Sequence, residues 1–254
     1  MSFDVSADAY GRFMGRYAEP LAGPFAAYAG VEADDRVLDV GCGPGALTAL
    51  LVDRVGVERV TAIDPSASFV AAVAERISGL DVRQAVAEDL PFPDDGFDAA
   101  LAQLVVHVLS DPVAGLREMA RVTRPGGTVA ACVWDHGGGR GPLSPFWRGV
   151  READPSALGE GHLPGSRAGH LGELFTAAGL ADVDQATLEV SVRYATFDEW
   201  WQPYSLGVGP AGSYLADLPD ARRDRVRDAC AEVLPAAPFE VRATAWTVRG
   251  RVSR

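Results

Sequence analysis

The sequence predicts an open α/β sheet wound with helices on both faces, and three observations carry that expectation. Short apolar runs alternate with stretches of helical spacing five times between residues 37 and 134. The first run, Val37-Leu38-Asp39-Val40, breaks into Gly41-Cys42-Gly43-Pro44-Gly45 before Ala46 to Leu51 resumes as a helix. That strand, turn and helix unit is where sheets of this class bring a ligand close to the backbone. The length of 254 residues suits one α/β domain carrying insertions, and residues 1–254 are read that way.

Residues 1–30 precede the first strand and read as a helical flap, with Pro20 and Pro24 dividing it into two short helices. Tyr10, Arg16 and Tyr17 make this flap either a plain amphipathic cover or part of the ligand site, since Arg suits a carboxylate and Tyr adds a hydroxyl to an apolar body. Residues 31–135 form the core. Arg59 to Ile63 is a second buried strand ending in Asp64-Pro65-Ser66, and Asp64 falls 19 residues after Gly45. An acid at about 20 residues from the turn is placed to accept both ribose hydroxyls, although Ser66 is also a good N-cap and Asp64 could simply brace the capping turn.

Leu80 to Ala85 reads as a third strand and Phe97 to Val105 as a fourth, with Gln103 and then His107 at its ligand-facing end. His107 is the first candidate for a general base, weighed against a satisfied interior histidine. A helix from Pro112 to Val122 and the turn Arg124-Pro125-Gly126-Gly127 lead to a fifth strand, Thr128 to Trp134. Residues 136–170, rich in Gly and Pro, read as a mobile substrate-side loop with at most a short helix. Asp182 to Arg193 and Phe239 to Arg249 alternate as strands and pair as an antiparallel hairpin at one edge. Between them residues 195–237 form a second, helical insertion. Phe146, Trp147, Trp200, Trp201 and Tyr204, in the two insertions, either clamp an apolar acceptor or form the insertions' own core.

A net charge of −12 without a basic run argues against a nucleic acid partner. Cys42, Cys132 and Cys230 are odd in number and far apart, which fits reduced thiols and offers no metal-ligand spacing, so no metal is expected. Met1 to Val5 lacks a basic, apolar leader and no run reaches 18 apolar residues, so a soluble cytoplasmic protein without membrane attachment is expected. Oligomeric state leaves no signal.

Four elements in order, namely Val37 to Gly45, Asp64, Ala87-Glu88-Asp89-Leu90-Pro91-Phe92-Pro93 before Phe97-Asp98, and Leu116 to Gly127, resemble a class I S-adenosylmethionine-dependent methyltransferase of the small-molecule type (methyltransferase type 11/25-like). The resemblance implies a Rossmann-like doubly wound sheet of seven strands in the order 3-2-1-4-5-7-6 with the last strand antiparallel, under helical lid insertions. It implies S-adenosyl-L-methionine as cofactor and methyl transfer to a small, partly apolar acceptor by direct in-line displacement. By the same resemblance Gly41, Gly43 and Gly45 line the methionine and ribose portion, with Asp39 near the amino group and Asp64 on the ribose hydroxyls, and Pro65 belongs to the same cofactor set. Ala87 and Glu88 lie at adenine; Tyr10, Arg16 and Gln103 complete the expected cofactor set. Where many relatives carry an Asp for the adenine amino group, this chain has Val86. His136, Tyr10 and Tyr17 stand behind His107 as candidate bases. The nearest rival enzyme, a nicotinamide-dependent oxidoreductase, needs G-x-G-x-x-G, whereas the spacing here is G-x-G-x-G. The non-enzymatic alternative is a methyltransferase-like protein that binds the cofactor and acts as a non-catalytic partner or regulator.

Overall fold

The structure, a computed structural model, describes residues 7–253; the expected leaderless start at Met1 to Val5 and the first residues of the flap lie outside the described residues. The chain opens with α1 (Ala7–Tyr10), a π-helical turn (Gly11–Gly15) and α2 (Arg16–Ala29). β1 (Val37–Val40), α3 (Ala46–Val55), β2 (Val60–Asp64), α4 (Ala67–Arg76), β3 (Asp81–Gln84) and β4 (Phe97–Gln103) follow. Then come α5 (Pro112–Val122), β5 (Thr123–Trp134), α6 (Ser144–Ala153), α7 (His170–Ala177) and β6 (Ala181–Tyr194). The chain closes with α8 (Phe197–Trp201), α9 (Gly209–Ala216), α10 (Asp220–Val233) and β7 (Phe239–Arg251).

The seven strands form one sheet in the order β3-β2-β1-β4-β5-β7-β6. The pairs among β1 to β5 are parallel, while β7 runs antiparallel to both β5 and β6, so the expected order and edge hairpin are both present. β5 shows why two layers of helix are needed. Ala130, Cys132 and Trp134 face the layer that holds α2 and the insertions, and Val129, Ala131 and Val133 face α5 and α7. Local chemistry sets several helix starts. The Ser66 side chain accepts the Phe69 N–H at the head of α4, and Asp111 accepts the Ala114 N–H ahead of Pro112 in α5.

One expectation about the outer elements is corrected. Pro20 and Pro24 do not divide the flap, because α2 runs through both. Each proline forfeits one backbone hydrogen bond, but the helix buries Tyr17, Ala18, Leu21, Ala22, Phe25 and Ala26. At about 1.5–3 kcal/mol for each large apolar side chain, that burial outweighs the roughly 3 kcal/mol a helical proline costs. In residues 136–170 the short helix allowed for is α6; Phe146 on it is fully buried, and the Cys230 thiol on α10 donates to the Phe146 carbonyl. The apolar residues of α6 pack on the second insertion.

Candidate functional site

The turn after β1 is built on backbone conformations that favour glycine. Gly41, Gly43 and Gly45 take φ of +72°, +52° and +89°. A Cβ on Gly41 would stand 2.5 Å from Val105 Cγ2, whereas one on Gly43 would meet nothing within 4 Å and project into open space. Gly41 is fixed by packing, and Gly43 keeps the wall of a cavity bare.

That cavity, of about 530 Å³, lies at the C-terminal ends of β1, β2 and β4. It brings together Tyr10, Gly41, Gly43, Asp64, Pro65, Ala87, Glu88 and Gln103 of the expected cofactor set. Asp64 is the hinge of its wall, with Oδ2 accepting the Gly43 N–H at 2.9 Å and Oδ1 accepting the Ser66 N–H at 2.8 Å. Burial raises its carboxyl pKa against the pull of those two bonds. Asp64 therefore both braces the capping turn and lines the cavity. Glu88 Oε1 takes the N–H groups of Ser110 and Asp111, and Val86, 46% exposed, lies bare at the rim. Tyr10 packs edge-on against Phe69, and burial followed by the nearby Asp64 raises its hydroxyl to about 12. Gln103 donates through Nε2 to the Ala18 carbonyl, leaving Oε1 buried with no partner.

Three expected residues stand elsewhere. Arg16 is turned away, donating to Glu199 at 2.8 Å and to the Arg193 carbonyl with its guanidinium over the Tyr194 ring; a carboxylate 183 residues on has claimed it. Asp39 lies behind the turn, buried, accepting the Thr48 hydroxyl at 2.6 Å and so tying β1 to α3. Burial pushes its carboxyl up to about 7, the Thr48 bond opposing and Asp64 adding to the rise. Gly45 heads α3, with Val73 Cγ2 at 3.1 Å from where a Cβ would be.

His107 does not line the large cavity. It borders a smaller one of about 50 Å³ that shares Tyr10, Leu104 and Val108 with it and also touches His136 and Glu160. The two imidazole rings are 6.0 Å apart. Burial lowers the pKa of His107 to about 4 and that of His136 to about 3, so both are neutral at pH 7; His107 Nδ1 is buried without a partner. Tyr17 is taken up by a 2.8 Å hydrogen bond with Tyr194 and faces neither cavity. Of the two readings of the insertion aromatics, the packing favours the second. Phe146 stacks on Tyr204 at 4.5 Å, Trp200 lies 4.9 Å from Tyr204, and Trp147 donates to Glu160 at 2.8 Å, making them the insertions' own core.

Sequence reasoning missed Leu104, which lines both cavities, and Glu160. Leu104 has φ +62°, a strained conformation for a leucine, and only its place just after β4 could have pointed to it. Among the described residues no cluster of three or more metal-binding side chains occurs, and no helix is long and apolar enough to cross a membrane.

A bare glycine turn under an acid-terminated second strand, in a sheet of order 3-2-1-4-5-7-6, defines the class I S-adenosylmethionine-dependent methyltransferase fold. Residues 38–131 match the family described as Methyltransferase domain. It is 41% identical over 110 residues to a ubiquinone/menaquinone biosynthesis C-methyltransferase UbiE of Stenotrophomonas maltophilia, covering 41% of this chain and 44% of that one. It is 38% identical over 115 residues to a chloroplastic 2-methyl-6-phytyl-1,4-hydroquinone methyltransferase of Oryza sativa, covering 44% and 31%. The chain thus matches less than half the length of these curated relatives. The YcgJ protein of Bacillus subtilis superposes with TM-score 0.57 at 23% identity over 92% of this chain and 98% of that one, a likeness of fold.

Proposed function

We propose that the chain catalyses methyl transfer from S-adenosyl-L-methionine to a small, partly apolar acceptor by direct in-line displacement. The observation that carries the reading is the 530 Å³ cavity walled by Gly41, Gly43 and Asp64 inside the segment matching the methyltransferase family. Bound there, the cofactor supplies an activated methyl group on a positively charged sulfur.

The chain's own residues fit that group. Gly43 leaves room for a ligand against the backbone, and each Asp64 oxygen, having accepted one N–H, has a lone pair left for a ribose hydroxyl. Gln103 Oε1, buried and unpartnered, is an acceptor for a ligand N–H. Pro65, Ala87 and Glu88 border the adenine end, where Val86 contributes surface and no acceptor side chain. Tyr10 covers the mouth and separates the cofactor cavity from the smaller one. Asp39 and Gly45 act from behind, holding the turn to α3.

His107 Nδ1 serves as the proton acceptor for an acceptor O–H or acidic C–H. It is neutral, buried and without a hydrogen-bond partner at the border of the cavity next to the cofactor's. Exclusion of water and alignment of the reacting atoms supply the larger part of the rate. The two relatives named for quinone and hydroquinone methylation support a ring-bearing acceptor. The partners are that acceptor and the cofactor, and three free buried cysteines support work in the cytoplasm. The alternative of a non-catalytic partner draws no support from the relatives.

The test is a transfer screen with methyl-labelled cofactor against phenols, polyketides, quinones and amines. Label in one acceptor class at one product per cofactor consumed supports the reading. Cofactor binding with no label in any class contradicts it.

A further inference from the structure

The cavity that holds His107 is too small for the acceptor this reading requires. At about 50 Å³ it has room for one or two waters, whereas pockets that bury small ligands run to roughly 300–1,000 Å³. With a cofactor in the large cavity, the bulk of an acceptor must lie elsewhere. A groove of about 660 Å³ along the insertions also shares walls with the His107 cavity. His136 and Glu160 border both.

The groove is chemically distinct from the rest of an acidic chain. Arg148 and Arg151 on α6 follow Ser144 by four and seven residues, so the three share one helical face, and all three line the groove. Arg242 on β7 lines the other side. All three arginines are exposed, and none makes a salt bridge with another described residue; Arg148 donates to the Val233 carbonyl. Two carboxyls face them. Glu240 is bonded to the Ser191 hydroxyl, and Glu160 is held by Trp147 with its pKa raised by burial. In a chain of net charge −12, three guanidinium groups against two carboxyls make the lining of this groove locally basic. Leu158, 85% exposed, stands at the rim as apolar surface with no partner in the chain.

We infer that this groove binds the body of an elongated, anionic acceptor, its carboxylate or phosphate held by Arg148, Arg151 and Arg242 and its reactive end passing between His136 and Glu160 toward His107. The inference rests on the methyl-transfer reading for the role of the ligand, but not for its binding. Planar guanidinium groups hold such an anion through bidentate hydrogen bonds, and Leu158 offers apolar surface to the stem.

The probes are octanoate, decanoate and dodecanoate with the matching alcohols, titrated calorimetrically into the protein after its affinity for S-adenosylhomocysteine has been measured. The carboxylates are expected to bind about tenfold tighter than the alcohols, with the difference shrinking as salt rises. R151A/R242A removes the difference and leaves alcohol binding unchanged; R151K/R242K keeps most of it; Arg54→Ala, on α3, changes nothing. The ring proton signal of His136, assigned by a His136→Gln variant, shifts on adding decanoate. Equal affinity of acid and alcohol at every length, a carboxylate preference that survives R151A/R242A, or an unmoved His136 signal overturns the proposal. Homocysteine-analogue binding without carboxylate preference removes the groove and leaves the methyl-transfer reading intact. Carboxylate preference without analogue binding does the reverse.

Discussion

Replacing Asp64 by Asn tests the one side chain that both builds the cavity and faces it. The carboxylate accepts two backbone N–H groups, from Gly43 at 2.9 Å and Ser66 at 2.8 Å. An amide has one acceptor oxygen, so its NH₂ must face one of those donors. A hydrogen bond to a charged group is worth about 1.5–3 kcal/mol, and at about 2–4 °C per kcal/mol in a chain of this size Tm falls by about 3–12 °C. The lower half of that range is expected, because the amide escapes the desolvation that raises the carboxylate's pKa. Release of the Gly43 N–H also loosens the turn against the ligand, so affinity for S-adenosylhomocysteine falls about 10–100-fold. Thermal scans by circular dichroism and calorimetric titration at pH 7.5 read the two effects. Ser66→Ala provides the contrast: it removes the α4 cap for about 1 kcal/mol of stability and leaves affinity in place. An Asp64→Asn protein with unchanged Tm and unchanged affinity would refute the reasoning, since neither bond would then hold the turn.

Gly41→Ala, with a 2.5 Å approach to Val105 at φ +72°, costs about 1–3 kcal/mol, read as lowered Tm. Gly43→Ala, at φ +52° in open space, costs about 1–2 kcal/mol of stability but loses cofactor affinity beyond what that explains, because its methyl enters the cavity; equal behaviour of the two variants contradicts this assignment. The Asp39 carboxyl sits above its ordinary 3.8 at about 7 in the folded protein. The folded state therefore favours the protonated form, a contribution complete below pH 3.8 and lost as pH rises through about 7. Asp39→Asn flattens that decline in urea melts, and an unaltered slope rules out the buried carboxyl as its source. His107→Ala lowers kcat by about 100-fold or more without changing cofactor affinity. Because burial lowers the imidazole pKa to about 4, wild-type turnover shows no histidine limb near pH 6.5, and such a limb would remove His107 from the role.

What the sequence made legible follows from how local the chemistry is. The Gly41 to Gly45 turn and Asp64 were readable because a bare turn and an acid at a fixed spacing announce themselves without neighbours, and the strand order followed from the resemblance those motifs carry. Arg16 was not, since its partner Glu199 comes from a distant insertion. Nor were Phe146, Trp200 and Tyr204: an aromatic in a lid looks the same whether it meets a ligand or another aromatic, and here ring stacking between insertions decided it. Pro20 and Pro24 misled because local helix cost was weighed without the burial that offsets it. Leu104 and Glu160 carry no sequence mark at all, and their positions come from the geometry of a strand end and a lid turn.

The central claim is that the cavity behind Gly43 and Asp64 is shaped for a methyl donor rather than a dinucleotide. Isothermal titration of the protein with S-adenosylmethionine, S-adenosylhomocysteine and NAD tests it most directly. The account predicts one-to-one binding of the first two and none, or far weaker binding, of NAD. Tighter binding of NAD than of either would contradict it.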